Sequence, residues 1–206
     1  MSKRDQHIII YGQPTAAQRE ILTSPVKLFK IQELPHEMSQ SPANKNIKAQ
    51  LRDTMRYTYG ATHVDALKAQ QADSDILDTF IRLYERLTNK KLPLRTIEYL
   101  DRVMQDAAII ILKEKYKWNV PRPFQLRPIA VKYVSLTADT PSYPSGHSAQ
   151  SRILAQVFAK IDPAHRVDYF SHAQDVGLGR IKIGVHYPMD HEYGIRIGDI
   201  LWRGLA

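Results

Sequence analysis

The stretch YPSGHSAQ, residues 143–150, places a serine, a glycine and a histidine after a proline, at the start of a run that reads as helix. Ser145 is a preferred helix N-cap, because its hydroxyl can accept from an unpaired amide of the first turn. The same place suits an anion, since a helix start carries unpaired N–H groups and partial positive charge. Four residues do not choose between a cap and an anion site, so the surrounding chain has to.

Helical periodicity surrounds the stretch. Downstream, SGHSAQSRILAQVFAKI predicts a helix ending near Asp162-Pro163, and AHRVDYFSHAQDVGLGRIKIGV predicts another. HYP interrupts it, and a last helix starts near Pro188, a comfortable first helical residue, and runs toward Trp202. Upstream, LRTIEYLDRVMQDAAIIILKEKY carries an apolar stripe of Ile97, Leu100, Val103, Met104, Ala107 and Ile111, predicting a helix to Lys115 or Tyr116. DSDILDTFIRLYERLTNKK, with Ile76, Phe80, Leu83 and Leu87 in register, predicts a helix capped by Asp73 or Ser74. Shorter helices are expected over 16–22, from 47 to Tyr59, and over 65–71, with a Pro/Ser/Asn-rich loop at 34–46 and a β-like HIIIY near the N-terminus. VPRPFQLRP holds three prolines and opens a long connection over 121–144. With no alternating apolar run long enough for a sheet, the expected fold class is all-α.

The 206 residues suit a single domain spanning 1–206, with residues 1–60 as N-terminal helices and loops of unassigned role. Cysteine is absent, which removes disulfides, thiolate nucleophiles and cysteine-bound metals. A formal charge of +8 favours anionic partners. The longest apolar run, AAIIIL at 107–112, is far short of the roughly 20 residues that span a bilayer, and the N-terminus lacks the apolar core of a signal peptide. A soluble, cytoplasmic protein is the expectation.

Three clusters carry chemistry: Lys115 followed by Arg122-Pro123; Pro144-Ser145-Gly146-His147; and Arg180, His186 and Asp190. Singly, each has a plain reading: a solvated lysine at a helix end, a loop arginine, a core histidine, an acid in a first helical turn. Together, Lys115, Arg122 and Arg180 supply three cations, and Ser145 and the Gly146 amide can add hydrogen bonds to a tetrahedral oxyanion. Asp190, four residues after His186, can fix that ring's tautomer and free its other nitrogen to attack, while His147 can serve as acid and base.

The ordered pattern K-x6-RP, PSGH, R-x5-H-x3-D resembles the three-part signature of the type 2 phosphatidic acid phosphatase (PAP2) superfamily, which includes the bacterial class A acid phosphatases and the vanadium-dependent haloperoxidases. It lies within 115–190, and GVHYPMD and the following Gly194 fit as well. Gly179 departs from it, standing where the family usually has serine. The resemblance implies a helical bundle with the site at one end of its core helices and a catalytic core over residues 94–204. It also implies roles. His186 would carry a phosphohistidine oriented by Asp190, and His147 would be the acid/base. Lys115, Arg122, Ser145, Gly146 and Arg180 would bind phosphate. No metal or cofactor is implied for hydrolysis, vanadate acting as an inhibitor; in the haloperoxidase branch vanadate is the cofactor.

A phosphatase for small soluble phosphomonoesters, including nucleotides or sugar phosphates, with diphosphates such as isoprenyl pyrophosphate as an extension, is therefore the expected function. The alternatives are a vanadium-dependent haloperoxidase, with Trp118 and Phe124 lining an added pocket, and a non-catalytic anion or nucleic-acid binder. A metal site at His186, Asp190 and His191 is set aside, with His191 expected to be exposed. No nucleic-acid partner is expected, and a homodimer only by prevalence. Arg127, Lys132, Tyr133 and Tyr143 are candidates to read the leaving group.

Overall fold

A computed structural model describes residues 11–39, 41–42, 46–127, 135 and 137–205. Among these the chain is all-α, as expected, its sole β feature being an isolated bridge between Phe29 and Leu205. The expected β-like HIIIY falls almost wholly outside the described residues. The helices are α1 (Ala16–Thr23), α2 (Ile47–Tyr59), α3 (His63–Ser74), α4 (Ile76–Thr88), α5 (Leu94–Trp118), α6 (Pro123–Leu126), α7 (Gly146–Ile161), α8 (Arg166–Lys182) and α9 (Pro188–Gly204).

Helix α7 is the core around which the bundle is built. Its Ala149, Ile153, Leu154, Ala155 and Phe158 are buried, and α4, α5, α8 and α9 pack around it, while α2 and α3 lie against α8. The α5 stripe behaves as its spacing predicts: Leu100, Val103, Ala107 and Ile111 are buried against this core. Small residues set how closely α7 and α9 approach. A Cβ on Gly194 would lie 2.6 Å from the Ser145 carbonyl oxygen, and one on Gly198 would lie 2.7 Å from that of Ala149. Neither position tolerates a side chain without backbone movement.

Three boundaries differ from the sequence expectation. Asp73 and Ser74 do not cap α4; they end α3, which runs longer than 65–71, and Asp75 caps α4 by accepting from the Asp78 amide. A buried carboxylate and a solvated cap look alike in sequence. Helix α5 runs on to Trp118, ending at Asn119 in the left-handed conformation (φ 48°), a conformation asparagine tolerates. The proline-rich connection contains the one-turn α6, because Pro123 occupies its first position, where a missing N–H costs nothing.

The Gly198→Ala variant is expected to lose about 1–3 kcal/mol of stability despite alanine's better helix propensity. Gly204→Ala, with nothing within 4 Å of the added carbon, should be neutral or slightly stabilising; urea unfolding of both variants checks the contrast.

Candidate active site

Helix ends bring the three clusters together. His147 sits in the first turn of α7, Asp190 in the first turn of α9, Lys115 in the last turn of α5 and Arg180 in the last turn of α8. The N-termini of α7 and α9 are tied by a hydrogen bond from the Ser145 amide to the Asp190 carbonyl, 3.0 Å. A cavity of about 380 Å³ opens there, lined by Lys115, Arg122, Gly146, His147 and His186 among the expected residues.

His186 is almost wholly buried, and its two ring nitrogens have different partners. Nδ1 lies 2.8 Å from Asp190 Oδ2, so Nδ1 carries the proton and donates to the carboxylate. Nε2 lies 3.1 Å from Arg122 Nη1, a group that can only donate, so Nε2 presents its lone pair. The Tyr187 amide (2.9 Å) and the Ser142 hydroxyl also donate to Asp190 Oδ2. Burial pushes the Asp190 carboxyl up to about 6, against these hydrogen bonds and the nearby Lys115 and Arg122 charges, and leaves it ionised at neutral pH.

The cations are anchored by main-chain oxygens. Arg122 donates from Nη1 to the Val185 carbonyl (2.9 Å) and from Nε to that of Thr140 (2.8 Å), and Gln125 holds its amide. Lys115 Nζ donates to the carbonyls of Pro141 (2.6 Å) and Ser142 (3.2 Å). Burial lowers both groups; repulsion from Arg122 lowers Lys115 further and repulsion from Arg180 lowers Arg122, which falls to about 10 and so keeps its charge.

The remaining expected residues are placed differently. Ser145 Oγ accepts from the Ser148 amide and hydroxyl as the α7 cap, and it does not line the cavity. Gly146 lines it, and a Cβ there would come no closer than 3.7 Å to the protein, so packing does not require glycine. Arg180, fully buried, pairs through Nη1 with Asp73 at 3.0 Å and donates from Nη2 to the Ser135 and Thr137 hydroxyls. At Gly179 a Cβ would meet Ala69 at 3.7 Å, so packing does not force the departure from serine.

His191 is a correction. It is buried, not exposed; its Nδ1 lies 2.9 Å from Ser148 Oγ, and its ring fills the space a Cβ on Gly177 would need. No group of three or more His, Asp or Glu side chains that could hold a metal ion occurs among the described residues. Trp118 bonds Glu114 and Phe124 packs against a small cluster with Ile183 and Val185; neither lines the cavity. Tyr143 stacks on Tyr193 (4.9 Å between ring centroids), Arg127 is exposed, and Lys132 and Tyr133 lie outside the described residues.

Two site residues have no counterpart in the sequence reading. Ser142 is adjacent to the PSGH stretch, which is the only signal that could have marked it. Asp73 comes from α3, distant in sequence, where its place beside a helix boundary predicts only a cap. Its fully buried carboxylate accepts from the Thr137 hydroxyl at 2.6 Å and lies 3.5 Å from His147 Nε2.

This geometry defines a class, an all-α bundle that gathers two histidines and two cations around one cavity. Residues 103–205 match the model of the PAP2 superfamily, and the chain belongs to that superfamily. A 57-residue stretch is 37% identical to the lipid A 1-phosphatase of Rhizobium etli, covering 28% of this chain and 25% of that protein. The same identity holds with the lipid A 1-phosphatase of Rhizobium johnstonii, over 23% of its length. The match thus spans about a quarter of the length of these relatives. Among solved structures, Aquifex aeolicus LpxE superposes with a TM-score of 0.59 at 20% identity, over 80% of this chain and 97% of that one. The transmembrane PAP2-type phosphatidylglycerolphosphate phosphatase of Bacillus subtilis gives 0.55 at 15% identity, over 78% and 84% of the two chains. A bacterial vanadium-dependent iodoperoxidase gives 0.56 at 18%, over 86% and 52%. These superpositions share the fold. No helix among the described residues is long and apolar enough to cross a membrane.

Burial lowers the pKa of His147, His172, His186 and His191, and the three cations lower His147 and His186 further. Below about pH 6.5 the unfolded chain therefore binds more protons at these groups than the folded one, and stability falls as pH falls. Asp190, raised to about 6, acts oppositely between its ordinary value and 6, one group against four. Urea unfolding should show lower stability at pH 5.5 than at 7.5, and His186→Ala should shrink the difference; a flat or inverted profile contradicts the assignment.

Proposed function

We propose that this chain is a phosphatase, a phosphoric ester hydrolase working without a metal ion through a phosphohistidine on His186. The observation that carries this reading is the polarisation of His186: Nδ1–H is held by Asp190, and the unprotonated Nε2 accepts from Arg122 at the cavity that both residues line. The family, and the phosphatases named among its relatives, support it.

The steps follow from these placements. The substrate phosphoryl oxygens lie against Lys115, Arg122 and the Gly146 amide at the positive end of α7, which Ser145 caps, while Arg180 adds its charge from outside the cavity. Nε2 of His186 attacks phosphorus, the P–O bond to the leaving group breaks, and His147 gives that oxygen its proton. A water then loses a proton to His147 and attacks phosphorus, the P–N bond breaks, and phosphate leaves. In the transition state the charge of the transferring group is spread over three equatorial oxygens with the attacking and leaving atoms in line, and cations placed for that arrangement favour it over the substrate.

The far wall of the cavity narrows the substrate. Ile21, Ala108, Ile111 and Leu112 line the cavity, whose surface is mostly apolar, together with the polar Gln18, Thr137, Asp139, Thr140 and Gln150. Such an apolar share of the lining desolvates hydrocarbon. The leaving group is therefore an alkyl chain or a similar apolar group on a monoester or diphosphate. The named substrates of the relatives, lipid A and phosphatidylglycerolphosphate, agree with this chemistry.

Wild-type protein with EDTA present should hydrolyse p-nitrophenyl phosphate, and vanadate should block it. His186→Ala should lower kcat/KM by more than about 1,000-fold, and His147→Ala should lower it by about 100- to 10,000-fold on an alkyl phosphate, whose leaving oxygen must be protonated, and by less on p-nitrophenyl phosphate. Turnover that survives His186→Ala contradicts the mechanism. Halide oxidation by vanadate-loaded protein without phosphatase turnover would favour the haloperoxidase reading instead. On the substrate side, decyl phosphate should show a lower KM than glucose 6-phosphate, and Leu112→Asp should remove that preference.

A further inference from the structure

We propose that Asp73 is a positioning residue for the general acid, holding His147 in its charged, proton-donating form when phosphate is bound. This rests on the phosphatase reading above and adds a residue that lies outside the three sequence clusters.

The argument begins with the cost of the residue. Asp73 is a carboxylate with a fully buried side chain, at the C-terminal end of a helix whose dipole disfavours negative charge there. Such a group is tolerated only where specific partners compensate it. The partners belong to the site. Arg180 Nη1 is 3.0 Å away, the Thr137 and Ser135 hydroxyls donate at 2.6 and 3.1 Å, and His147 Nε2 lies 3.5 Å away. Thr137 and His147 themselves line the cavity, whereas Asp73 does not. Asp73 would thus act through its neighbours and not on the substrate.

The charges around His147 show what it would do. Lys115 from α5, Arg122 from the following connection and Arg180 from α8 all oppose a proton on the ring, as does burial; the Ala72 backbone favours one. His186 faces the same cavity and stays neutral to attack. A bound phosphate offsets the three cations, and Asp73 is then the anion of the protein nearest the His147 ring. A carboxylate at that distance in a dry site favours the imidazolium. The site would then hold two histidine–carboxylate pairs with opposite tasks. Asp190 fixes a neutral ring for attack through a short hydrogen bond. Asp73 supports a charged ring for proton donation. It also ties the N-terminal half, through α3, to the chemistry.

The test uses Asp73→Asn, which keeps the shape and removes the charge, and two leaving groups. p-Nitrophenolate leaves with little help from an acid, whereas an alkoxide must be protonated. Relative to wild type, Asp73→Asn should lose at least tenfold more kcat on decyl phosphate than on p-nitrophenyl phosphate, and the basic limb of its kcat–pH profile should move to lower pH. Equal losses on both substrates with an unmoved limb, the pattern of a merely structural role, would overturn the proposal, as would no loss. If the variant does not fold, NMR of the His147 ring nitrogens in phosphate-saturated wild type decides: protonation of both nitrogens near pH 6.5 supports the proposal, and a ring neutral down to pH 5 overturns it. Absence of turnover by the wild type on either substrate would be the failure of the phosphatase reading itself, and is read separately.

Discussion

The close approach of α7 and α9 is the constraint on which the site depends. Gly194 and Gly198 let the helices meet backbone to backbone, and the Ser145 amide bonds the Asp190 carbonyl across the contact. That bond sets two helix N-termini side by side, so that His147 and His186, 39 positions apart in the chain, open onto one cavity. A bundle with the helices an ångström or two further apart would keep every motif residue and lose the geometry, because misplacement on that scale is costly in an oriented reaction. The glycines that look structural thus belong to the functional argument.

Within that frame the site is an arrangement of buried charge. Lys115, Arg122 and Arg180 lie out of water together with Asp73 and Asp190. Buried ions are held at a loss unless main-chain oxygens and counter-ions surround them, and here the carbonyls of Thr140, Pro141, Ser142 and Val185 serve the cations. The remaining excess of positive charge suits a tetrahedral anion, and the same excess holds His186 neutral. Burial first, and then repulsion from these cations, keeps the His186 ring unprotonated, as the proposed attack requires.

Much of this was legible in the sequence, for reasons that differ by residue. The helices with strong periodicity, α5 and α7 above all, lie where their apolar spacing puts them, because one face of each meets the core. The motif residues Lys115, Arg122, His147, His186 and Asp190 were readable because they cluster locally, at helix ends marked by Pro144 and Pro188. Asp73 was not, since an acid beside a helix boundary reads as a cap, and only the packing of α3 on α8 brings it to Arg180. His191 was misjudged for the same reason: its burial is set by Gly177 on another helix, not by its neighbours in the chain. Ser145 shows the limit from the other side, since the cap reading describes its hydroxyl and the anion-site reading remains a matter of function.

The central claim is that phosphorus is transferred twice, first to His186 and then to water. The stereochemical course at phosphorus tests it directly, using a thiophosphate ester whose two non-bridging oxygens are different isotopes, hydrolysed in water carrying the third, so that the inorganic thiophosphate released is chiral. Two in-line displacements predict retention of configuration. Inversion would mean that water attacks the ester in a single step, and would contradict the assignment of His186 as nucleophile.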